Sequence, residues 1–137
     1  MAVTDQSPIA NEQRRPLSPH LQVYAFALTT AMSIAHRITG VGLYFGTLLL
    51  AWWLIAAATS ASAFADVSWF MDSIVGRVIL LGFTWALFHH MLGGIRHFIW
   101  DSGYCMEHPQ REYLAKGTLI GGLVLTILVW VAAYTIR

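Results

Sequence analysis

Three long apolar stretches, separated by polar segments, organise the chain. From Ile38 to Ala58 there is no charged residue, about the ~20 residues that a membrane-spanning helix needs. A second stretch runs from Ile74 to Trp100, with Arg77 near its start, Arg96 near its end and no Asp, Glu, Lys or Arg over residues 78–95. A third, residues 117–136, is uncharged and is followed by Arg137. The pattern predicts an all-α integral membrane protein with three transmembrane helices at about 31–58, 74–100 and 116–136. Thr29 and Thr30 stand where a cap for the first helix is expected. Ser60–Ser73 is small, polar and mildly acidic, and reads as a loop with a short amphipathic turn around Trp69-Phe70-Met71.

The polar segments complete the layout. Residues 1–15 are polar, Pro16 and Pro19 favour an extended course, and residues 21–28 are mildly apolar, as expected of chain lying at the membrane surface. We therefore divide the chain into a segment 1–28, N-terminal and interfacial, and a three-helix membrane domain, 29–137. No apolar run follows Arg14-Arg15 directly, and Pro16-Leu17-Ser18-Pro19-His20 breaks the apolar region that a twin-arginine signal requires, so no cleavable signal is expected. Gly42-x-x-x-Gly46 fits close helix packing. Trp52 and Trp53 fall where an aromatic belt is expected.

Composition agrees with lipid as the solvent. The chain of 137 residues is 57% hydrophobic and 11% charged, against about 25% charged in soluble domains. A formal net charge of +1 gives no electrostatic footprint for nucleic acid. With Cys105 alone there is no internal disulfide, no iron–sulfur cluster held by this chain and no covalent C-x-x-C-H haem attachment. Arg14, Arg15, Arg37, Arg96, Arg111 and Lys116 fall on one side of the three spans, Arg77 and Arg137 on the other. By the positive-inside rule the N-terminus and the 101–116 loop face the cytoplasm, or the mitochondrial matrix.

Candidate chemistry gathers at that side. The second span carries His89, His90, Arg96 and His97 around Gly93 and Gly94, and ionisable groups inside a membrane are costly enough to point to function. His90 and His97, seven residues apart, share a helix face, with the glycines beside His90 removing bulk. An imidazole over a glycine notch suits a flat macrocycle, offering one nitrogen to iron and room for the ring edge. The first span begins with Ser33, His36 and Arg37, where Ser33 and Arg37 are i, i+4 neighbours. His36, Arg37, Arg96 and His97 are thus expected to form a cationic collar around a cavity, with His90 roughly 10 Å deeper at 1.5 Å per residue. A b-type haem needs such a collar for its propionates and an imidazole for its iron. His97 is too far along the helix to bind the iron's opposite face, and the third span has no histidine. The second axial ligand is therefore expected from a partner membrane subunit. The plainer alternatives stay open: Arg37 as an interfacial arginine snorkelling to lipid phosphate, and His90 as a packing residue. His89, turned about 100° from His90, is expected to be a satisfied packing histidine or one bonded to a partner helix.

These residues also carry a resemblance. Arg15-Pro16-Leu17-Ser18-Pro19-His20, Ser33-Ile34-Ala35-His36-Arg37-Ile38-Thr39-Gly40 and His90-Met91-Leu92-Gly93-Gly94-Ile95-Arg96-His97, continuing to Asp101, resemble the cytochrome b556 membrane anchors of succinate dehydrogenase, respiratory complex II. The motifs S-x-x-H-R-x-(S/T)-G and H-x-x-x-G-I-R-H are specific in combination. The resemblance implies that His90 is the haem b axial ligand, with the opposite ligand on a second membrane-anchor subunit. It implies that Ser33 and Arg37 border a ubiquinone pocket, that His36 and Arg37 lie near the haem propionates, and that His97 is a cavity residue. It further implies flavoprotein and iron–sulfur partner subunits and a bacterial inner membrane, or the mitochondrial one. The chain is then not an enzyme by itself but part of a succinate:quinone oxidoreductase. Two rivals are a purely structural anchor, and a different di-haem cytochrome or small transporter subunit. The latter is disfavoured because no Asp or Glu lies within the three spans.

Overall fold

A computed structural model describes residues 26–136, which form four helices and no strand. Expectations for residues 1–25, Arg14, Arg15 and His20 among them, and for Arg137 lie outside the described residues. Helix α1 (Leu28–Thr59), α3 (Ile74–Asp101) and α4 (Gln110–Ile136) are each long and apolar enough to cross a membrane. Their outward faces are apolar, with Ile38, Val41, Phe45 and Leu48 of α1 all exposed in the isolated chain. That is expected where lipid or another membrane helix, rather than water, covers the surface.

The segment read as a loop is a helix, α2 (Ala61–Asp72). Its start is fixed by Ser60, whose hydroxyl accepts from the Ala63 N–H at 3.2 Å, satisfying one of the free donors of the first turn. Phe64, Val67, Phe70 and Met71 recur at helical spacing, and Val67 is wholly buried. Phe70 lies 5.5 Å from Trp52 and Phe64 6.2 Å from Trp53, ring centre to ring centre. The two tryptophans of α1 therefore seat α2. The small polar residues that suggested a loop occupy its more exposed side.

The helix ends also differ from expectation. Helix α1 starts after Ala27, with no side-chain cap. Thr30 instead donates its backbone N–H to Ala27 O at 3.0 Å. Helix α3 closes on Gly103 at φ +82°, a left-handed position natural to glycine, with Gly103 N–H on Trp100 O at 2.8 Å and Tyr104 N–H on Ile99 O at 3.2 Å. Trp100 Nε1 donates to Cys105 O at 3.1 Å and holds the following loop to the helix. Helix α4 begins at Gln110, inside the charged stretch.

Packing of α3 on α4 is the tightest seam. Ala86, His89, Gly93 and Arg96 are the buried residues along this part of α3, with Gly93 turned to His36 of α1 and His89 to α4, and Ala115, Thr118, Gly122 and Thr126 are those of α4. Both sets follow three- and four-residue spacing. Small residues let the backbones approach: a Cβ built on Gly122 would stand 3.3 Å from His89 Cα. Thr118 and Thr126 satisfy their hydroxyls on carbonyls of their own helix, Leu114 O at 2.9 Å and Gly122 O at 2.7 Å. The Gly42-x-x-x-Gly46 notch is only half used within the chain, since the Phe83 ring fills the space at Gly46 while Gly42 faces open surroundings.

Candidate functional site: a histidine seam between α1 and α3

Because α1 and α3 run antiparallel, the beginning of one meets the end of the other. His36 is brought against His90, Gly93 and His97. The imidazoles of His36 and His90 stack, with centres 3.9 Å apart and planes 11° from parallel. Each ring donates to the backbone of the other residue: His36 Nε2–H to His90 O at 3.2 Å, and His90 Nδ1–H to His36 O at 3.0 Å. His97 meets the His36 ring edge-on at 5.3 Å and Trp100 at 5.5 Å. All three histidines are half-buried.

Glycines make this approach possible. A Cβ at Gly93 would run into the His36 ring, and one at Gly40 would stand 2.9 Å from His90 Cε1. The expected notch is thus shared out differently. Gly93 is occupied by His36, Gly40 of the opposite helix receives His90, and Gly94 alone keeps open space beside it. Thr39, buried at 3% exposure, completes the seat. Its hydroxyl is 2.9 Å from both Ala35 O and His36 O and 3.4 Å from His90 Nδ1. Sequence reasoning passed over Thr39 and Gly40 as site residues, although both stand inside the first histidine motif.

The expected collar is corrected at Arg96. Arg96 does not join it: the side chain is 2% exposed, among the buried residues of α3, with its guanidinium carbon 5.1 Å from the centre of the Trp100 ring. The aromatic face supplies a cation–π contact, and Nε and Nη1 have no hydrogen-bond partner among the described residues. Arg37, one residue from His36 and turned about 100°, is exposed. Ser33 lies one turn before it, half-buried. Among the described residues no hydrogen bond or ion pair engages Ser33 Oγ or the Arg37 guanidinium. His89 packs as expected, wholly buried over Gly122 and 5.1 Å from the Trp85 ring centre. It is not satisfied, however, because neither ring nitrogen has a partner among the described residues.

The donor chemistry at His90 fits a haem ligand. Its Nδ1 is engaged by a carbonyl, which fixes the tautomer and leaves Nε2 as the nitrogen with a free lone pair. Metal-bound imidazoles are ordinarily held in this way by a second partner on the other nitrogen. Among the described residues no group of three or more His, Cys, Asp or Glu converges to hold a bare metal ion. A single imidazole donor beside small residues matches a macrocycle, which brings four of its own ligands. His36 in this arrangement cannot face His90 across an iron, because stacked rings 3.9 Å apart leave no room between them.

Comparison with known proteins identifies the family. A family model described as the succinate dehydrogenase/fumarate reductase transmembrane subunit matches residues 11–130. The succinate dehydrogenase cytochrome b556 subunit of Paracoccus denitrificans is 46% identical over 118 residues, covering 86% of this chain and 91% of that protein. That of Rickettsia felis is 34% identical over 118 residues, covering 86% and 92%. The mitochondrial succinate dehydrogenase cytochrome b560 subunit of Sus scrofa is 34% identical over 118 residues, 83% of this chain and 66% of its own length. A multi-pass membrane protein with a histidine seam between its first and third helices, this chain belongs to the succinate dehydrogenase/fumarate reductase transmembrane-subunit family, among the membrane cytochrome b subunits of succinate dehydrogenase.

Proposed function

We propose that the chain anchors succinate dehydrogenase to the membrane, binds haem b jointly with a second membrane-anchor subunit, and forms one wall of the ubiquinone-reduction pocket. The observation that carries this reading is the His90 imidazole, held through Nδ1 by the His36 carbonyl, with Nε2 left without a hydrogen-bond partner among the described residues. A bound haem b supplies a one-electron redox centre. His90 Nε2 would hold its iron from this chain. A second ligand would come from the second membrane-anchor subunit, since His36 is committed to stacking on His90 and donating to its carbonyl. His36 and His97 stand beside His90 on the side assigned to the cytoplasm or matrix, where the His97 N–H and the nearby Arg37 cation suit haem propionates, while the His36 N–H is taken by His90 O.

Quinone reduction takes two electrons and two protons, and negative charge builds on a carbonyl oxygen during it. Ser33 and Arg37, a hydroxyl and a guanidinium one helical turn apart and without a partner among the described residues, would orient that carbonyl and stabilise the charge. A guanidinium serves here as a fixed cation rather than a proton donor. Because Arg37 faces outward from the three-helix unit, the pocket is completed by partners: the second membrane-anchor subunit and the iron–sulfur protein that delivers electrons from the flavoprotein. The apolar outer faces of α1 and α3 suit lipid and that second membrane partner.

Purification of the tagged chain from its native membranes tests the assembly. The expected result is a b-type absorption band, with a flavoprotein and an iron–sulfur protein in the same complex. The same partners without haem would leave a purely structural anchor. Neither haem nor partners would overturn the whole reading.

A further inference from the structure

Thr39 is buried at 3% exposure, and its hydroxyl lies at the junction of both helices. One hydrogen serves two carbonyls of its own helix, Ala35 O and His36 O, each at 2.9 Å. The oxygen's lone pairs remain for a donor on the far side, and the atom found there is His90 Nδ1, at 3.4 Å. That same N–H has His36 O at 3.0 Å. The His90 N–H is therefore shared, with the carbonyl as its short arm and the threonine hydroxyl as its long one. Gly40, the next residue, holds the ring in place from the same helix turn. A valine would fill the volume of Thr39, but only a hydroxyl gives the N–H this second acceptor.

We propose that Thr39 is a positioning residue for His90, holding its tautomer and strengthening its donation to the haem iron, and so setting the haem potential. This rests on the reading of His90 as the axial ligand. An acceptor on Nδ1–H makes the imidazole more electron-rich at Nε2, which favours ferric over ferrous iron; partners of this kind tune both affinity and potential. Removing the long arm weakens that donation and shifts the balance toward the reduced state. The long arm is the weaker of two bonds, so we expect a change of roughly threefold in the ferric/ferrous equilibrium, an upward shift of about 30 mV at 59 mV per tenfold for one electron.

The test is a redox titration of the haem band in the membrane-assembled complex carrying Thr39→Val, Thr39→Ser or the native residue. The expected result is a raised potential for valine and a native potential for serine, which restores the hydroxyl. Thr39→Ala reports the same loss in place of valine if the valine chain does not assemble. A native potential in both hydroxyl-free variants, or an equal shift in the serine variant, overturns the proposal. A His90→Ala complex titrated alongside separates the two claims. If it keeps the native band and potential, the axial reading falls and Thr39 with it. If it loses them while the hydroxyl-free variants stay native, only the positioning role falls.

Discussion

Gly40 offers a test in which the fold and the ligand geometry respond differently to a single methyl group. In Gly40→Ala the new Cβ would stand 2.9 Å from His90 Cε1 and 3.4 Å from Nδ1. Carbon atoms pack best at about 3.5–4.0 Å, so the imidazole must withdraw by roughly 0.6–1 Å from that side. Its retreat is limited by the stacked His36 ring and by the Nδ1 bond to His36 O. Overpacking of this kind costs about 1–3 kcal/mol. Within α1 itself, alanine is better than glycine by about 0.8–1 kcal/mol, so the helix is little harmed. The cost falls on the position of the His90 ring. At 1.4 kcal/mol per tenfold, 1–3 kcal/mol corresponds to haem binding weakened by about 5- to 140-fold. The assay is haem per assembled complex, from the amplitude of the reduced-minus-oxidised spectrum, beside the thermal stability of the same preparation. Full haem occupancy with an unmoved band would refute the seat ascribed to Gly40. So would a collapse of stability that accounts for all the haem lost.

Two further outcomes follow from the same geometry. Arg37→Ala should lower quinone reductase activity by about 10²-fold, the usual cost of losing one group that stabilises developing negative charge, while succinate oxidation with an artificial acceptor is unchanged; equal loss of both activities would count against the quinone role. Gly122→Val should force α4 away from the His89 backbone, costing about 1–3 kcal/mol and reducing the amount of complex that survives mild heating, without moving the haem band of molecules that do assemble. A shifted band would show that the α3–α4 seam and the histidine seam are coupled.

The three spans were legible because hydropathy over about 20 residues is a strong signal, and Ile74 as the beginning of α3 could be read directly. Helix α2 was not. Its small polar residues hid an apolar stripe at Phe64, Val67 and Phe70–Met71 that acquires meaning only against Trp52 and Trp53. The Ser60 cap was visible and could have signalled it. For the site, charge placement and span order sufficed to bring Ser33–Arg37 and Arg96–His97 to one end. Which face each side chain takes depends on the register of α1 against α3, which periodicity within one helix does not contain. Hence the stacking of His36 on His90 and the filling of Gly93 were not foreseen. Arg96 misled for a related reason. An arginine near a helix end is expected to snorkel outward, whereas here the Trp100 ring one turn later offers it an apolar yet electrostatically favourable face.

Binding of haem by His90 is tested most directly by the dithionite-reduced minus oxidised visible spectrum of the purified complex with His90→Ala beside the native chain. The expected result is a b-type band in the native complex that is lost, or displaced and diminished, in the variant. An unchanged band in His90→Ala would contradict it and return His90 to a packing role.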